Sequence, residues 1–465
     1  MSIKFGTDGW RGVIAEDFTF ENLEKVALAT ALNYKRHKNI KKGIVVGYDA
    51  RFLSREFAER VATVLANNNI SVTISDSISS TPMISLLTRK LKAAAGIVIT
   101  ASHNPPMYSG YKIKGDFGGP AFPETIEKVE RHLAPILNSS KRIDLKKSFT
   151  ELVQAGKIKY IDMTKIYLDD IKKKLNIGLI KKSSIRILHD AMYGAGMNVF
   201  TQIVPDCQQI HATFNPSFEG INPEPIEINL TELKAKVKLG KFDIGIATDG
   251  DADRLGVVDE KGNYVDPHRV FSLLLKYLVE EKKLKGEVAK SFTVTDIVDK
   301  QCAKYGIKLH TTPVGFKYIC QLMNERKIII GGEESGGLGV FGHIPERDGV
   351  YLGLLIGEII VKRKKKLSEL VKELEKEFGP RVYKRIDHHT TPKEKTLTMK
   401  RFKPTLKEIA GFRVKKVETI DGFKFYVDNG WMLVRASGTE PLVRYYAEAD
   451  SEQKARKMLD WAIGK

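Results

Sequence analysis

Ala93-Ala94-Ala95-Gly96-Ile97-Val98-Ile99-Thr100-Ala101-Ser102-His103-Asn104-Pro105 runs from a continuously apolar segment into a polar loop. An apolar run relieved only by glycine reads as a strand covered on both faces, as in a sheet flanked by helices. Such a strand exposes only its ends, and in open α/β sheets ligands gather beyond the carboxyl ends of the strands. Ser102 is therefore placed for chemistry. The same Ser/Asn pattern also suits a helix cap in an ordinary turn, so the choice rests on the rest of the chain.

Outward from that strand, a strand followed by an amphipathic helix recurs. Residues 44–49 precede a helical pattern over Ser54–Asn67, residues 185–190 precede one starting near Gly194, and residues 287–291 precede one over 296–305. Each unit then carries a second apolar strand that ends in a polar, glycine-bearing loop: the Ser102 loop, residues 242–247 leading to Asp249, and residues 327–330 leading to Gly331. The pattern predicts an α/β fold of three tandem related α/β domains with mixed sheets. After Gly379-Pro380 the chain turns polar; residues 381–395 read as an edge strand and loop, residues 422–427 and 431–434 as a hairpin around Asp428-Asn429-Gly430, and residues 451–463 as a closing helix. A smaller C-terminal α+β domain fits there, giving expected units 1–148, 149–255, 256–375 and 376–465.

The chain has 465 residues, too many for one core, and its 42% apolar content is ordinary for a soluble enzyme. No stretch of about 18 apolar residues occurs and the first residues lack a signal-peptide core, so a cytoplasmic protein is expected. Cys207, Cys302 and Cys320 are widely spaced and suggest neither a disulfide framework nor a zinc site. The formal net charge of +19 favours anionic partners, which could be nucleic acid, a membrane surface or small phosphorylated molecules. The densest basic run, Lys362-Arg363-Lys364-Lys365-Lys366, follows an apolar helical segment with no interleaved aromatics and reads as a solvated helix end.

Asp249-Gly250-Asp251-Ala252-Asp253-Arg254 carries three carboxylates at alternate positions, a hard oxygen cluster suited to magnesium. An EF-hand is excluded because its sixth position, which requires glycine, is Arg254 and a strand rather than a helix precedes it. Beside Ser102, this cluster suggests phosphoryl transfer, in which a metal neutralises charge on the moving group. A hydroxyl nucleophile needs a base; Lys112 is close enough in sequence to return across the Ser102 loop, provided burial or nearby cations lower its pKa. Taken alone it is more often a surface lysine. Gly331-Gly332-Glu333-Glu334-Ser335-Gly336-Gly337 lacks the lysine of a phosphate-binding loop, and its Glu333 suits the hydroxyls of a neutral polyol. Arg435-Ala436-Ser437-Gly438-Thr439, with Arg444 beyond, has arginines, hydroxyls and a glycine N–H that can surround a phosphate dianion. In Phe5-Gly6-Thr7-Asp8-Gly9-Trp10-Arg11, Arg11 can pair with phosphate or serve a structural ion pair.

In this order, the five motifs resemble those of the α-D-phosphohexomutases, which include phosphoglucomutases and phosphomannomutases, and the resemblance covers nearly the whole chain. It implies four domains around a central cleft. Ser102 would be the phosphoserine, and Asp249, Asp251 and Asp253 would hold one Mg²⁺ that also touches the serine phosphate. Lys112 would be the general acid/base, with Arg11, His103 and Arg254 steering phosphate or nucleophile. Glu333 and Ser335 would contact sugar hydroxyls, Lys317 would lie in a loop near the sugar, and Arg435, Ser437, Gly438, Thr439 and Arg444 would form the site of the phosphate not being transferred. The implied reaction interconverts hexose 1-phosphate and hexose 6-phosphate through a 1,6-bisphosphate, glucose 1,6-bisphosphate serving as intermediate and activator. Glu334 tilts the expectation towards glucose, while Phe316 and Gly337 replace histidines found in many glucose/mannose mutases, which leaves mannose or a pentose phosphate open. A metal-dependent sugar phosphatase is the competing reading. Neither nucleic acid nor membrane is an expected partner, and the chain would be a monomer or homodimer.

Overall fold

The computed structural model describes residues 3–6, 8–139, 141–438 and 442–464. The first sheet has the order Trp10–Val13, Tyr108–Gly115, Ala95–Ile99, Ile44–Tyr48, Val72–Ser75, Ile158–Ile161. Its last four strands are parallel, and Tyr108–Gly115 returns antiparallel beside Ala95–Ile99. Ala95, Ile97, Val98 and Ile99 are fully buried, as an apolar strand between helical layers requires. The sheet includes Ile158–Ile161, past residue 148.

The second and third sheets repeat this plan. Ile244–Thr248 lies parallel to Ile187–Asp190 and is followed by the antiparallel Leu255–Asp259. Ile328–Gly332 lies parallel to Glu287–Ser291 and is followed by the antiparallel Leu338–Val340. In all three units the chemistry-bearing loop therefore joins a buried parallel strand to its antiparallel return. The second sheet continues to Tyr264–Val265, beyond residue 255.

The fourth sheet is antiparallel throughout, with the order Val382–His389, Leu442–Ala449, Gly430–Ala436, Phe423–Val427, Lys416–Glu418. Helix Glu452–Ile463, capped by the Ser451 side chain, packs on it through Ala455, Met458, Leu459 and Ala462. The segment expected as a loop after the edge strand is instead helix Pro392–Lys400. Thr391 and Glu394 form its capping box, a local signal that the polar composition obscured. The helix expected near Gly194 starts later, at Val199, because Met192 and Tyr193 adopt left-handed backbone in the intervening turn.

Helix Gly349–Arg363 is apolar nearly all round and buried through most of its length. It packs against the second sheet and helix Ile177–Lys182, so its absence of a polar face reflects a central position. The basic run at its end is solvated, with Arg363 and Lys362 paired to Glu281. Cys207, Cys302 and Cys320 are free and buried, and among the described residues no helix is long and apolar enough to cross a membrane.

Candidate active site

Ser102 sits in left-handed backbone at φ 54° and is buried in the loop after Ala95–Ile99. Its amide donates to Thr100 Oγ1 at 2.8 Å, and its Oγ donates to Asp249 Oδ2 at 3.0 Å. The serine and the acidic loop, 147 residues apart, thus share one hydrogen bond. Backbone contact is equally close: a Cβ on Gly250 would lie 2.3 Å from the Ser102 carbonyl oxygen, so only glycine fits there.

Sequence reasoning missed what shapes the serine loop. Arg51, itself buried, donates to the carbonyls of Ser102, Asn104, Pro105 and Tyr108 at 2.6–2.9 Å and pairs with Asp49 through Nε at 3.1 Å. One planar guanidinium thereby satisfies the polar backbone of a tight loop. Its position just after strand Ile44–Tyr48 was the available signal. Arg11, on the edge strand, donates to Asn104 Oδ1 at 2.5 Å and reaches the same loop. His103 Nδ1 lies 3.4 Å from Ser102 Oγ; burial and the cations Arg254, Arg11 and Lys112 hold its pKa well below the usual histidine value. The imidazole is therefore neutral near pH 7.

Asp249, Asp251 and Asp253 are fully buried, and they offer ligand oxygens all within 4.8 Å of one another. Asp249 Oδ1 is occupied by the amides of Asp253 and Arg254. By contrast, Asp251 Oδ1 and Asp253 Oδ1 are buried with no hydrogen-bond partner among the described residues. Buried carboxylate oxygens without donors are costly, and a hard divalent cation is the group whose chemistry matches them. The donor set therefore fits Mg²⁺. Burial, reinforced by repulsion from Asp251 and Asp253, pushes the Asp249 carboxyl well above the ordinary range in the absence of a cation.

Lys112 is not on the surface. It points inward from the antiparallel return strand, with Nζ 2.8 Å from Asp251, 2.9 Å from Asp8 and 3.4 Å from Asp253. Burial alone would lower its pKa, but Asp251, Asp8 and Asp253 outweigh that and raise it. The condition set for Lys112, a pKa lowered by burial or nearby cations, is not met in the fold: its neighbours are mainly carboxylates. Arg347, also missed, contacts Asp253 at 2.6 Å and Asp8 at 2.8 Å, while Lys114 pairs with Glu346 at 2.7 Å. Arg254 donates to Glu224 at 3.0 Å and lies 4.0 Å from Asp249.

In the third unit, Glu333 is buried and accepts from the Gly315 amide at 2.8 Å; burial, with Glu334 beside it, pushes its carboxyl up to about 7. Glu334 turns away to accept from Thr293 and Ser291. Ser335 and Lys317 are half-buried, and the Lys317 amine lies 5.3 Å from the Tyr318 ring centre. At the two departures noted in the sequence, Phe316 stacks under Arg347 at 5.4 Å, and a Cβ on Gly337 would strike Arg347 Cδ at 2.4 Å. Both positions therefore accommodate that arginine.

In the fourth unit, Arg435 and Arg444 pair directly across adjacent antiparallel strands. Like charges in that register repel, and each has its own carboxylate: Asp421 at 2.8 Å from Arg435 and Asp387 at 3.4 Å from Arg444. Ser437 is buried at the end of strand Gly430–Ala436 with Gly438 exposed after it, while Thr439 lies outside the described residues.

Four family models match the chain in order: phosphoglucomutase/phosphomannomutase alpha/beta/alpha domain I over residues 2–139, domain II over 165–262, domain III over 266–378 and the C-terminal domain over 359–461. A phosphoglucomutase/phosphomannomutase of Thermococcus kodakarensis is 32% identical over 100% of this chain and 98% of its own. A phosphoglucosamine mutase of Carboxydothermus hydrogenoformans is 33% identical over 100% and 99%. The crystal structure of a phosphomannomutase-type protein from Thermus thermophilus superposes with a TM-score of 0.87 at 34% identity, covering 100% of this chain and 99% of that one.

Proposed function

Because this chain belongs to the phosphoglucomutase/phosphomannomutase family, whose members are intramolecular phosphotransferases, we propose that it interconverts glucose 1-phosphate and glucose 6-phosphate with Ser102 as the phosphate carrier. The observation that carries this reading is the 3.0 Å contact between Ser102 Oγ and Asp249 in a buried three-carboxylate cluster. Phospho-Ser102 passes its phosphoryl group to the free hydroxyl of a bound hexose phosphate, giving a 1,6-bisphosphate. After the sugar reorients, the other phosphate returns to Ser102, so the serine begins and ends each cycle phosphorylated.

Asp249, Asp251 and Asp253 would hold Mg²⁺ with the serine phosphate. A bound Mg²⁺ supplies Lewis-acid neutralisation of the charge on the transferred group. Lys112 carries the proton of the attacking sugar hydroxyl. Its ammonium is held protonated by Asp251, Asp8 and Asp253, and a cation held by Asp251 and Asp253 would weaken that hold, favouring proton exchange with the sugar hydroxyl. Neutral His103 and the guanidiniums of Arg11 and Arg254 flank the serine and orient the phosphoryl oxygens. Glu333 accepts sugar hydroxyls, with Ser335 and Lys317 beside it. Arg435 and Arg444, with Ser437, Gly438 and Thr439, grip the phosphate that stays on the sugar; two arginines in direct register are relieved by a dianion between them.

Glucosamine 1-phosphate is a second reading, favoured by relatives named as phosphoglucosamine mutases. Turnover of glucose, mannose, glucosamine and ribose 1-phosphates, followed by phosphorus NMR with Mg²⁺ and a trace of the matching bisphosphate, tests the choice. Glucose 1-phosphate is expected to give the highest kcat/KM; a higher value for another sugar reassigns the substrate.

A further inference from the structure

Asp421 lies outside the five sequence motifs, in the turn before strand Phe423–Val427. The turn is fixed by Gly422, whose φ of +99° and closeness to the Val434 carbonyl (2.3 Å from a built Cβ) exclude a side chain. Asp421 is thereby set opposite Arg435. A single oxygen, Oδ2, accepts from Arg435 Nε at 2.8 Å and from the Val314 amide of the third unit at 3.0 Å.

The next amide along, that of Gly315, donates to Glu333 Oε1 at 2.8 Å. Consecutive N–H groups of one loop thus hold the carboxylate behind the phosphate-binding arginine and the carboxylate of the sugar loop. Other contacts join the third and fourth units, including Lys424 to the Phe292 carbonyl at 2.8 Å and Glu448 to the Asp296 amide at 2.9 Å. Those groups belong to the buried interface and touch none of the residues assigned to substrate. Among the described residues, it is Asp421 that joins the third unit to an arginine of the phosphate loop.

We infer that Asp421 is a positioning residue that couples the phosphate grip of Arg435 to the sugar loop, through the adjacent amides of Val314 and Gly315. The inference rests on the phosphate-loop role proposed above for Arg435. The Asp421 contact is made through Arg435 Nε, which orients the guanidinium plane; a bidentate phosphate contact would then use the two Nη groups. The same carboxylate oxygen pins the loop that carries Lys317 and backs Glu333. Phosphate engagement in the fourth unit and sugar engagement in the third are then one event.

Steady-state kinetics on the full chain with glucose 1-phosphate, Mg²⁺ and trace bisphosphate test this in Asp421→Ala, Asp421→Asn, Arg435→Ala and the double variant, with thermal unfolding as the folding control. Asp421→Ala is expected to raise KM about tenfold with a smaller loss in kcat, and Asp421→Asn to raise it less, since an amide oxygen still accepts from Val314. In the double variant the rise in KM should fall short of the product of the two single effects, because residues acting through one contact are not additive. Amide exchange over residues 313–317 should accelerate in Asp421→Ala and stay unchanged in Arg435→Ala. If KM rises in Arg435→Ala but not in Asp421→Ala, or if the two effects multiply, the coupling is refuted while the phosphate-loop role stands. An unchanged KM in Arg435→Ala overturns that role and the coupling with it.

Discussion

The ammonium of Lys112 lies 2.8 Å from Asp251, whose other oxygen accepts no hydrogen bond from the described residues. One carboxylate thus has a lysine on one side and an open coordination position on the other. A divalent ion held there would weaken the negative potential that keeps Lys112 protonated, with Asp8 still beside it. Lys112→Met is therefore expected to lower kcat by about 10²–10⁴-fold, the range for loss of a general acid/base, with the Mg²⁺-induced rise in melting temperature retained. A kcat within about threefold of wild type would remove Lys112 from the proton path.

The three-aspartate cluster gives a binding prediction independent of turnover. Mg²⁺ should raise the melting temperature, increasing with the logarithm of its concentration once the site is filled, and chelation should reverse it. Asp251→Asn removes a charge and should abolish that rise. A full Mg²⁺ response in Asp251→Asn would place the ion elsewhere.

Glu333 supplies the pH dependence. Its carboxyl is pushed up to about 7 by burial, above the value of about 4.3 for a free glutamate. The protonated form is the one the fold favours, so its contribution to stability is present below the unfolded value and is lost as pH rises through about 7. Substrate recognition runs the opposite way, because the ionised form is the better acceptor of sugar hydroxyls. KM should therefore fall as pH rises through about 7, and Glu333→Gln should flatten that limb. The same variant should melt higher than wild type near pH 8 and show no gain near pH 4. A pH-KM profile unchanged by Glu333→Gln would separate this residue from the sugar.

Arg51 tests whether the serine loop is prebuilt. Truncating it to Met leaves Asp49 buried without its ionic partner and takes one donor from each of four loop carbonyls, a loss of about 3–5 kcal/mol in denaturant unfolding. Addition of guanidine is expected to restore part of the activity if the loop's shape is what is missing.

The residues legible in the sequence share one property: they lie in, or lead directly into, loops that join an apolar strand to its return. Ser102, Asp249 and Glu333 occupy such loops and Arg435 stands near the end of strand Gly430–Ala436 that leads into one, so the local alternation of apolar strand and polar turn announces them. The residues that escaped notice act across long separations. Arg347 meets Asp8 across 339 positions and Asp421 meets Val314 across 107. Nothing local to Arg347 distinguishes it from a helix-start charge, and Asp421 reads as an ordinary turn aspartate. Burial of Lys112 was likewise set by the antiparallel return of its strand, a tertiary fact that overrode the surface preference of lysine.

Ser102 as a carrier that is never emptied to water is the central claim, and phosphorus NMR on glucose 1-phosphate with Mg²⁺ and trace bisphosphate tests it most directly. The account predicts glucose 6-phosphate with no accumulation of inorganic phosphate, and no turnover in Ser102→Ala. Release of inorganic phosphate in step with substrate loss, or turnover retained in Ser102→Ala, would contradict it.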